Sequence, residues 1–434
     1  MTDLAAAAPV PAAEPAPERP AWPQRIQTLD IVRGIAVMGI LAMNIVAFAM
    51  PFSAYMNPTA YGFESGADLV SWAFNFVFID GKMRGLFSFL FGASTLLVIE
   101  RAKASGKSPA AVHYARMFWL LVFGLLHFYL IWFGDILSGY ALTGLLLFFF
   151  RNLSVKALIR WGIVLVFMQS LLVGAGSGRM IYLSTAATVP NAETTIVEEW
   201  QGMRAMVAVP EPDDLAEQMS RHQGTWPGLV DHRFNVKGAK PFTGLIFFLW
   251  ETLAYMLFGM AALKSGFFRG EWEMARYRKW ATICFAIAIP VYALCAFLMY
   301  RANFAPEAVF LYAMGITTPF RPVMVVGIAC LIILLTRNGG ALVDRIAAAG
   351  RAAFTNYLGT SILMTTLFYG YGLGLYGSLS RIELWLPVLG MWALMLLWSK
   401  PWLDRFRYGP FEWLWRSLSR MRLEPMRKGE SENA

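Results

Sequence analysis

The sequence predicts an all-α fold, a polytopic membrane helix bundle with about ten transmembrane helices and with both termini in the cytoplasm. Hydrophobic residues make up 57% of the 434 residues and charged residues only 15%, whereas about a quarter of the residues in a soluble domain are charged. Apolar runs of nearly membrane-spanning length recur along the chain. Lysine and arginine concentrate in every second connection between those runs.

The chain begins with an Ala- and Pro-rich segment, residues 1–24. It has no apolar core of signal-peptide length, so we predict a disordered tail that precedes the first membrane helix. Residues 25–175 follow as an N-terminal membrane half of five helices. The predicted spans of this half are 31–50, 83–99, 116–133, 136–150 and 157–175.

One long polar connection, residues 176–241, separates the two membrane halves. Trp200 and Trp226 lie there among acidic residues, which predicts short amphipathic helices near the membrane surface on the extracytoplasmic side. Such a loop is a candidate lid over an outward-facing cavity. Residues 242–399 form the second five-helix half, with predicted spans at 242–263, 280–300, 321–336, 352–370 and 382–399.

The basic residues give the orientation. Of the 37 lysines and arginines, 25 fall in segments that this topology places in the cytoplasm, and five fall in short outer loops and span edges. They flank apolar runs and form no basic face, so the net charge of +9 indicates orientation in a bilayer and not a nucleic-acid partner. The lipid bilayer is therefore the first expected partner.

Residues 400–434 alternate aromatic and basic side chains. Pro410 is placed to open a helix. Aromatic rings at headgroup depth, with arginines directed to anionic lipid, are typical of an interfacial anchor, which we favour over a partner-binding role.

Two ionisable residues lie at the start of the first predicted span, Asp30 just before it and Arg33 within it. Arg33 is one turn into the span, and Asp30 shares its helical face. Ionisable groups in hydrocarbon are costly, so they are functional candidates by default. Either the pair is local and lets Arg33 reach the inner headgroups, or it forms a cytoplasm-facing site for a phosphate or carboxylate. Asn44 lies about 16 Å further along at 1.5 Å per residue, and interhelical hydrogen bonding is its alternative role.

The second apolar region contains a charged break. Asp80, Lys82 and Arg84 divide it into a short and a longer apolar part. We favour an interfacial helix followed by a span, and the alternative is a single broken helix that exposes backbone groups at a binding site. Ser88 and Gly92 have the spacing of small residues that predicts close packing against a neighbouring helix.

The third span carries His127, with Asp135 eight residues later. His127 is a candidate general base, which Asp135 orients only if the turn folds back, because the offset spans about 12 Å along a straight helix. The alternative is a neutral imidazole that hydrogen-bonds across the bundle. Glu251 and Asn356 are the remaining buried polar candidates, unless they satisfy each other or Arg33.

Two familiar signals carry little weight. Gly372, Gly374 and Gly377 have GxGxxG spacing, but they follow a membrane helix and no strand precedes them, so a nucleotide-binding turn is not predicted. His222, Asp231 and His232 lack a further well-spaced ligand. We expect neither a metal site nor a bound cofactor.

Four segments resemble the YeiB family of bacterial inner-membrane proteins, and the resemblance extends from Arg25 to Arg422. The segments are RIQTLDIVRGIAVMGILAMNIVAFAMP, GLLHFYLIWFGDILSGYALTG, GRAAFTNYLGTSILMTTLFYGYGLGLYG and GPFEWLWR. The resemblance implies a multi-pass protein of the bacterial inner membrane.

The first helix is also distantly similar to transmembrane acyltransferases such as heparan-α-glucosaminide N-acetyltransferase. Their Asp-x-x-Arg-Gly motif and a following Asn fall on Asp30, Arg33, Gly34 and Asn44. The resemblance implies transfer of an acyl group from a cytoplasmic coenzyme A thioester to an acceptor on the far side of the membrane. The histidine that the acetyltransferase uses is missing from residues 51–66, so His127 would take its place.

The leading hypothesis is therefore a membrane-embedded acyltransferase. Its candidate catalytic residues are His127 as base, Asn44 as oxyanion donor and Asp135 as the group that orients His127. Acyl-CoA is the expected donor and a small molecule, glycan or lipid the expected acceptor. The candidate donor- and substrate-binding residues are Asp30, Arg33, Lys82, Arg84, Glu251 and Asn356. The alternatives are a transporter or exporter of a small anionic or amphipathic solute, and a non-catalytic envelope protein. The sequence leaves the oligomeric state open.

Overall fold

The computed structural model describes residues 26–429, and the predicted disordered tail at 1–24 lies outside them. Within the described residues the chain is helical and contains no β-strand, only an isolated bridge between Phe406 and Arg427. The predicted all-α membrane bundle is confirmed.

Seven helices form the first part of the chain, and each of the first five predicted spans coincides with one of them. Ser108 and Ser154 begin α5 and α7 by accepting a hydrogen bond from a backbone N–H three residues later, as N-cap serines do. The helices are α1 Gln27–Ala49, α2 Phe52–Met56, α3 Gly66–Phe74, α4 Lys82–Ala104, α5 Pro109–Leu126, α6 Leu137–Phe150 and α7 Val155–Ala186.

The long connection begins later than predicted, because α7 continues to Ala186, and it contains four short helices: α8 Thr194–Arg204, α9 Pro212–Gln223, α10 Trp226–Asn235 and α11 Lys240–Thr243. The second membrane half follows. Its helices are α12 Leu245–Lys264, α13 Met274–Arg301, α14 Pro306–Val309, α15 Arg321–Thr336, α16 Ala341–Arg351, α17 Ala353–Phe368, α18 Trp385–Arg405 and α19 Pro410–Arg420.

Eight helical stretches among the described residues are long and apolar enough to cross a membrane. The other two of the ten predicted spans, at 136–150 and 352–370, coincide with α6 and α17, which have only 14 and 16 residues. At 1.5 Å per residue these helices are about 21 and 24 Å long. They are shorter than the hydrocarbon core of about 30 Å.

Helix α1 lies at the centre of the bundle, with 19 of its 23 residues buried. It contacts α4, α16 and α17. The crossing with α16 is close, because a Cβ atom on Gly350 would lie 1.8 Å from the Asp30 carbonyl oxygen and one on Gly34 would lie 2.2 Å from that of Ile346. A helix buried on all sides explains the continuous apolar sequence around Asp30 and Arg33.

The predicted close packing of the helix that carries Ser88 and Gly92 is confirmed. Helix α4 packs along α12, where a Cβ atom on Gly92 would lie 1.9 Å from the Met256 carbonyl oxygen. In the same way, a Cβ atom on Gly259 of α12 would lie 1.7 Å from the Phe89 carbonyl oxygen. Small residues let the two backbones approach directly.

The second apolar region is a broken helix. Helical hydrogen bonding continues from α3 through a π-turn, Asn75–Ile79, and stops at Asp80 and Gly81 before α4 begins. Gly81 has a φ of +70°, and a Cβ atom there would lie 2.7 Å from Arg321 Nε. Only glycine fits at this position, because of its positive φ and the nearby Arg321 side chain. The chain therefore passes through a tight break, and whether α3 lies in the membrane surface stays a prediction.

The bundle has two ends, which we name by their residues. The basic end holds the start of α1, the connections 105–108, 151–154, 265–273 and 337–340, and α19. The far end holds α2, α8 to α11 and residues 369–384. The charge distribution predicts that the basic end faces the cytoplasm.

Candidate functional site

A cavity of about 500 Å³ opens at the basic end, and we call it the arginine cavity. Helices α1, α4, α5, α17 and α19 contribute its walls, and many of its deeper residues are leucine or phenylalanine. Within residues 26–429, two carboxylate side chains line it, Asp30 and Glu412. Six arginines also line it: Arg33, Arg101, Arg116, Arg351, Arg407 and Arg416.

The pair predicted from the first helix lies in this wall. Arg33 Nη1 donates to Asp30 Oδ1 at 3.2 Å, and its Nη2 donates to Ser94 Oγ at 2.7 Å. The Arg33 side chain keeps about a quarter of its surface exposed. The local ion pair predicted for Arg33 is formed, and the same side chain lines an open cavity, while binding of a phosphate or carboxylate there stays a prediction.

Two further arginines of the cavity lie against aromatic rings. The Arg116 guanidinium is 4.1 Å from the Trp415 ring centre, and that of Arg416 is 4.6 Å from the Tyr408 ring centre. Trp415 Nε1 also donates to the Arg116 carbonyl at 3.1 Å. Guanidinium groups next to aromatic rings can still direct their planar donor edges to a phosphate or carboxylate.

Glu412 locks α19 onto the start of α17. Its Oε1 accepts from the backbone N–H groups of Phe354 at 2.6 Å and Thr355 at 3.1 Å, and its Oε2 accepts from the Thr355 hydroxyl at 2.5 Å. Burial raises the pKa of Glu412 above its ordinary value. The contact caps α17 and holds Trp415 and Arg416 at the cavity.

The His127 and Asp135 pair that the sequence suggested is formed. His127 Nδ1 lies 2.9 Å from Asp135 Oδ1, and Asp135 Oδ2 accepts from the Ser138 N–H at 2.8 Å and hydroxyl at 2.7 Å. The turn folds back because the chain leaves α5 through a π-turn, His127–Ile131, and Asp135 then caps α6.

The free nitrogen of this histidine is notable. His127 Nε2 is buried and has no hydrogen-bond partner in residues 26–429. Because the carboxylate of Asp135 only accepts, Nδ1 carries the proton and Nε2 keeps a lone pair in the neutral imidazole. This is the arrangement that a general base needs.

Tyr357 connects these features. It lines the arginine cavity, and its ring centre is 5.2 Å from that of His127. It also lines a smaller cavity of about 10 Å³, whose wall includes Asn44 and Trp132. Tyr357 therefore stands between the arginine cavity and the inner groups His127 and Asn44, neither of which lines the arginine cavity.

Three of the predicted donor-binding residues lie in a separate region. Glu251 Oε2 pairs with Arg84 and its Oε1 with Arg321, each at 2.5 Å. Lys82 Nζ donates to the Phe76 carbonyl and lies 3.5 Å from the Tyr292 ring centre. None of these side chains lines the arginine cavity.

The predicted residue Asn356 serves in helix packing. Its Nδ2 donates to the Ala349 carbonyl at 3.0 Å, and its Oδ1 accepts from Trp398 Nε1 at 2.9 Å. It hydrogen-bonds neither Glu251 nor Arg33, the partners that the sequence suggested for it.

In the far-end loop, His222 Nδ1 donates to the Gln218 carbonyl at 2.8 Å and its ring stacks on Tyr376 at 4.5 Å. Across the part of the chain that the structure describes, no group of three His, Cys, Asp or Glu side chains is placed to hold a metal.

Several residues of the site escaped the sequence interpretation. Arg116 and Arg351 count in the sequence only as orientation signals, Arg407 and Arg416 belong to the tail predicted as an interfacial anchor, and Glu412 has no predicted role. Tyr357 was quoted only within a motif. The arginines share one sequence signal, a position near the basic end of the bundle. Many ordinary flanking residues of membrane helices have the same signal, so sequence alone does not separate the two groups.

Comparison with known proteins places the chain among its relatives. A family model described as "Protein of unknown function (DUF418)" matches residues 262–422. The chain is 33% identical over 411 residues to "Uncharacterized protein YeiB" of Escherichia coli (strain K12), across 91% of this chain and 96% of that protein.

The chain belongs to the YeiB family.

Another relative is "Uncharacterized protein YxaH" of Bacillus subtilis (strain 168), which is 30% identical over 93% of this chain and 96% of its own length. No solved structure matches the chain. The segment that matches the family model contributes residues of α16, α17 and α19 to the arginine cavity, while α1, α4, α5 and α6 precede that segment. In this YeiB-family protein the cavity is thus built from both parts of the chain.

Proposed function

We propose that this protein is a membrane-embedded acyltransferase that takes an acyl group from acyl-CoA at the basic end and passes it to an acceptor that enters from the far end. One observation supports this most: a single cavity combines an arginine-rich rim with an apolar interior, and it ends at Tyr357, whose ring packs against His127.

The charge of the arginine cavity suits the donor. Six arginines face two carboxylates among the described lining residues, so the rim favours a ligand with several negative charges. Coenzyme A carries a diphosphate and a further phosphate, and Arg116 on Trp415 and Arg416 on Tyr408 offer flat surfaces for its adenine ring. The thioester arm and acyl chain fit the leucine- and phenylalanine-lined interior.

The chemistry assigned to the inner residues is a simple acyl transfer. His127 Nε2 removes the proton of an acceptor hydroxyl, whose oxygen forms a bond to the thioester carbonyl carbon. The Asn44 amide donates to the oxyanion, the carbon–sulfur bond then breaks, and the coenzyme A thiolate takes the proton back from His127. Tyr357 must move to admit the thioester, since it stands between the cavity and the imidazole.

The setting follows from the same proposal. The protein resides in the bacterial inner membrane, with the basic end in the cytoplasm where acyl-CoA is found. Its partners are the bilayer and a small-molecule, glycan or lipid acceptor. No bound cofactor is required, because acyl-CoA is consumed as a substrate.

The test uses the purified full chain in detergent, with water as the acyl acceptor, and measures acyl-CoA binding and release of free thiol separately. His127→Ala is expected to bind acyl-CoA as the wild type does and to release no thiol. Arg33→Gln is expected to weaken binding about tenfold or more, the usual value of one hydrogen bond to a charged group. The control is Arg301→Gln, an exposed arginine at the far end. Wild-type protein that binds no acyl-CoA, or unimpaired thiol release by His127→Ala, contradicts the proposal.

A second candidate function is transport of a small anionic solute. It is favoured by the buried cluster of Arg84, Glu251 and Arg321 beside the helix break, since ionisable groups inside the membrane often mark a solute path. Flux of an anion into liposomes that Glu251→Gln abolishes, without any acyl-CoA binding, selects this function instead.

A further inference from the structure

A second cavity, of about 50 Å³, lies at the far end between α1, α3 and the start of α18. We call it the far-end cavity. Its polar lining includes Tyr55, Asn75, Asp80 and Arg381, and none of these residues lines the arginine cavity.

Arg381 is built into this cavity as a fixed, buried cation. Its side chain is only 6% exposed, and its Nη2 donates to the backbone carbonyls of Ala54 at 2.5 Å, Pro58 at 3.2 Å and Tyr61 at 3.4 Å. Its Nε has no partner among the described residues. Burial lowers the pKa of Arg381 to about 10, so it stays charged at neutral pH.

An acceptor without a partner faces the same region. The buried Oδ1 of Asn75 makes no hydrogen bond with residues 26–429. Asn75 begins the π-turn that ends at Asp80, and such turns are frequent at functional sites. Asp80 adds a carboxylate, whose Oδ1 accepts from the Tyr55 hydroxyl at 3.0 Å. A buried donor and a buried acceptor without partners each cost free energy unless a ligand or water satisfies them.

The charges select the class of ligand. One guanidinium and one carboxylate line the far-end cavity, so its total charge is balanced while its two signs are separated. A ligand that carries one positive and one negative charge matches this charge distribution better than an anion or a cation does. Trp72 and Trp385 also line the cavity, and indole rings attract an ammonium group.

The position of the far-end cavity indicates where the ligand comes from. Trp385 in its wall contacts Phe74 with ring centres 5.9 Å apart, and Phe74 contacts Phe78 at 5.4 Å. Phe74 is 46% and Phe78 is 38% exposed. Exposed phenylalanines on a membrane helix face lipid, so the cavity adjoins a lipid-covered surface.

We infer that the far-end cavity binds the amine–phosphate headgroup of a membrane lipid, phosphatidylethanolamine. The lipid phosphate accepts from the remaining donors of Arg381, and the ammonium donates to Asn75 Oδ1 and the Asp80 carboxylate. Acyl chains of the lipid then extend over Phe74 and Phe78. This site goes beyond acyl transfer, because no residue of the arginine cavity takes part in it.

The experiment measures lipid binding to the purified full chain by native mass spectrometry, after exchange into lipid-free detergent. We expect wild-type protein to retain phosphatidylethanolamine in preference to phosphatidylglycerol. Asn75→Leu and Arg381→Lys should each lower phosphatidylethanolamine binding about tenfold, as expected for loss of a hydrogen bond to a charged group. Asp80→Asn should abolish the preference, because only the amine lipid needs the carboxylate.

Matched controls are Asn235→Leu and Arg301→Lys, which alter exposed residues at the far end and should leave lipid binding unchanged. Thermal unfolding shows that each variant is folded. The headgroup could belong to a membrane lipid or to a free soluble phosphoamine, and O-phosphoethanolamine distinguishes these two sources. We expect it to compete with the lipid only at concentrations far above that of the lipid. Equal affinity of the soluble compound overturns the lipid assignment. Three other results overturn the site. The wild type retains both lipids equally, the preference survives in Asp80→Asn, or inorganic phosphate or a methyl glycoside displaces phosphatidylethanolamine.

Discussion

At the scale of single residues, the His127 imidazole is held by one carboxylate and leaves its other nitrogen unpaired. Asp135 fixes this state through a hydrogen bond to Nδ1, while it also caps α6 through Leu137 and Ser138. In the proposed reaction Asp135 is a positioning residue, since it touches the base and not the acyl group.

Replacing Asp135 by asparagine tests that role. The amide oxygen can still cap α6, but the amide nitrogen is no acceptor for Nδ1–H, so the imidazole loses its fixed orientation. We expect thiol release to fall about a hundredfold or more with little change in acyl-CoA binding. Single-turnover assays together with binding isotherms separate the two. A parallel loss of binding and release shows instead that Asp135 is only structural.

The Tyr357 side chain forms the inner boundary of the arginine cavity. Its removal in Tyr357→Ala should extend the apolar interior toward Asn44. Each additional buried methylene contributes about 0.8 kcal/mol. In the variant, an acyl-CoA two carbons longer should therefore bind about tenfold more tightly, compared with the same change of chain length in the wild type. Binding of a series of acyl chain lengths measures this shift, with Tyr182→Ala on the exposed face of α7 as control. An unchanged chain-length profile contradicts the boundary role.

Sequence reasoning reached part of this site. Asp30, Arg33, His127 and Asp135 stand out because ionisable groups interrupt apolar runs. Whether His127 and Asp135 meet depended on a π-turn, which has no clear sequence signature. Tyr357 was out of reach, because an aromatic residue in a membrane helix is ordinary.

At the scale of helices, α19 is both a cap and a wall. Glu412 satisfies the first backbone N–H groups of α17, and the same helix presents Trp415 and Arg416 to the arginine cavity. The aromatic tail that the sequence favoured as an interfacial anchor thus packs part of its aromatic face on the bundle. Its contact with lipid stays a prediction.

Glu412→Ala tests the cap. Two buried backbone N–H groups lose their acceptor, so we expect the free energy of unfolding to fall by about 1–3 kcal/mol and acyl-CoA binding to weaken as α19 loosens. Thermal unfolding in detergent and proteolysis at residues 406–409 measure both effects. Glu198→Ala, on an exposed position of α8, is the control. Full protection of α19 in the Glu412→Ala variant argues against the cap.

At the far end, α9 is docked by His222. Its imidazole stacks on Tyr376 and lies 5.1 Å from the Tyr369 ring centre. Burial lowers the pKa of His222 to about 4, and Lys237 and Arg233 add to the effect by repulsion. The docked arrangement of α9 therefore favours the neutral form of the His222 imidazole.

This gives a pH dependence with a definite sign. In the opened state His222 has the ordinary pKa of 6.5, so protons bind the opened state first as the pH falls. Docking of α9 is fully stable above that value and is lost progressively as the pH falls toward 4. Hydrogen exchange of residues 212–223 and 369–377 should accelerate over this interval, and His222→Gln should remove the pH dependence. Exchange that is independent of pH in the wild type contradicts this account.

Helix boundaries show where sequence reasoning ends at this scale. All ten predicted spans contain a helix, because long apolar runs can hardly form anything else in a membrane. The choice between an interfacial and a broken helix at residues 66–104 was not decided by hydropathy. The break lies at Gly81, and hydropathy does not reveal the positive φ of Gly81 or its closeness to Arg321, which lies 240 positions away along the chain.

On the scale of the whole molecule, the two ends differ in character. The basic end opens into the arginine cavity, while the far end is covered by α8 to α11 and residues 369–384. The charge distribution predicts which side each end faces. All of the proposed chemistry depends on that orientation.

Single-cysteine labelling tests the orientation in cells. Native Cys284, Cys295 and Cys330 are at most 4% exposed, so a membrane-impermeant maleimide should react with an introduced cysteine alone. Gly202→Cys at the far end should label in intact cells, and Asn338→Cys at the basic end should label only after the membrane is opened. The reverse pattern refutes the assigned sidedness.

The docking of α19 has a consequence for biosynthesis. Membrane helices enter the bilayer in the order in which the ribosome makes them, and α19 is made after all the helices that it touches. Until then, the arginine cavity lacks a wall and α17 lacks its cap. A released chain truncated before residue 410 should therefore insert its membrane helices yet fail to bind acyl-CoA, so that ligand competence arises only once α19 has been made.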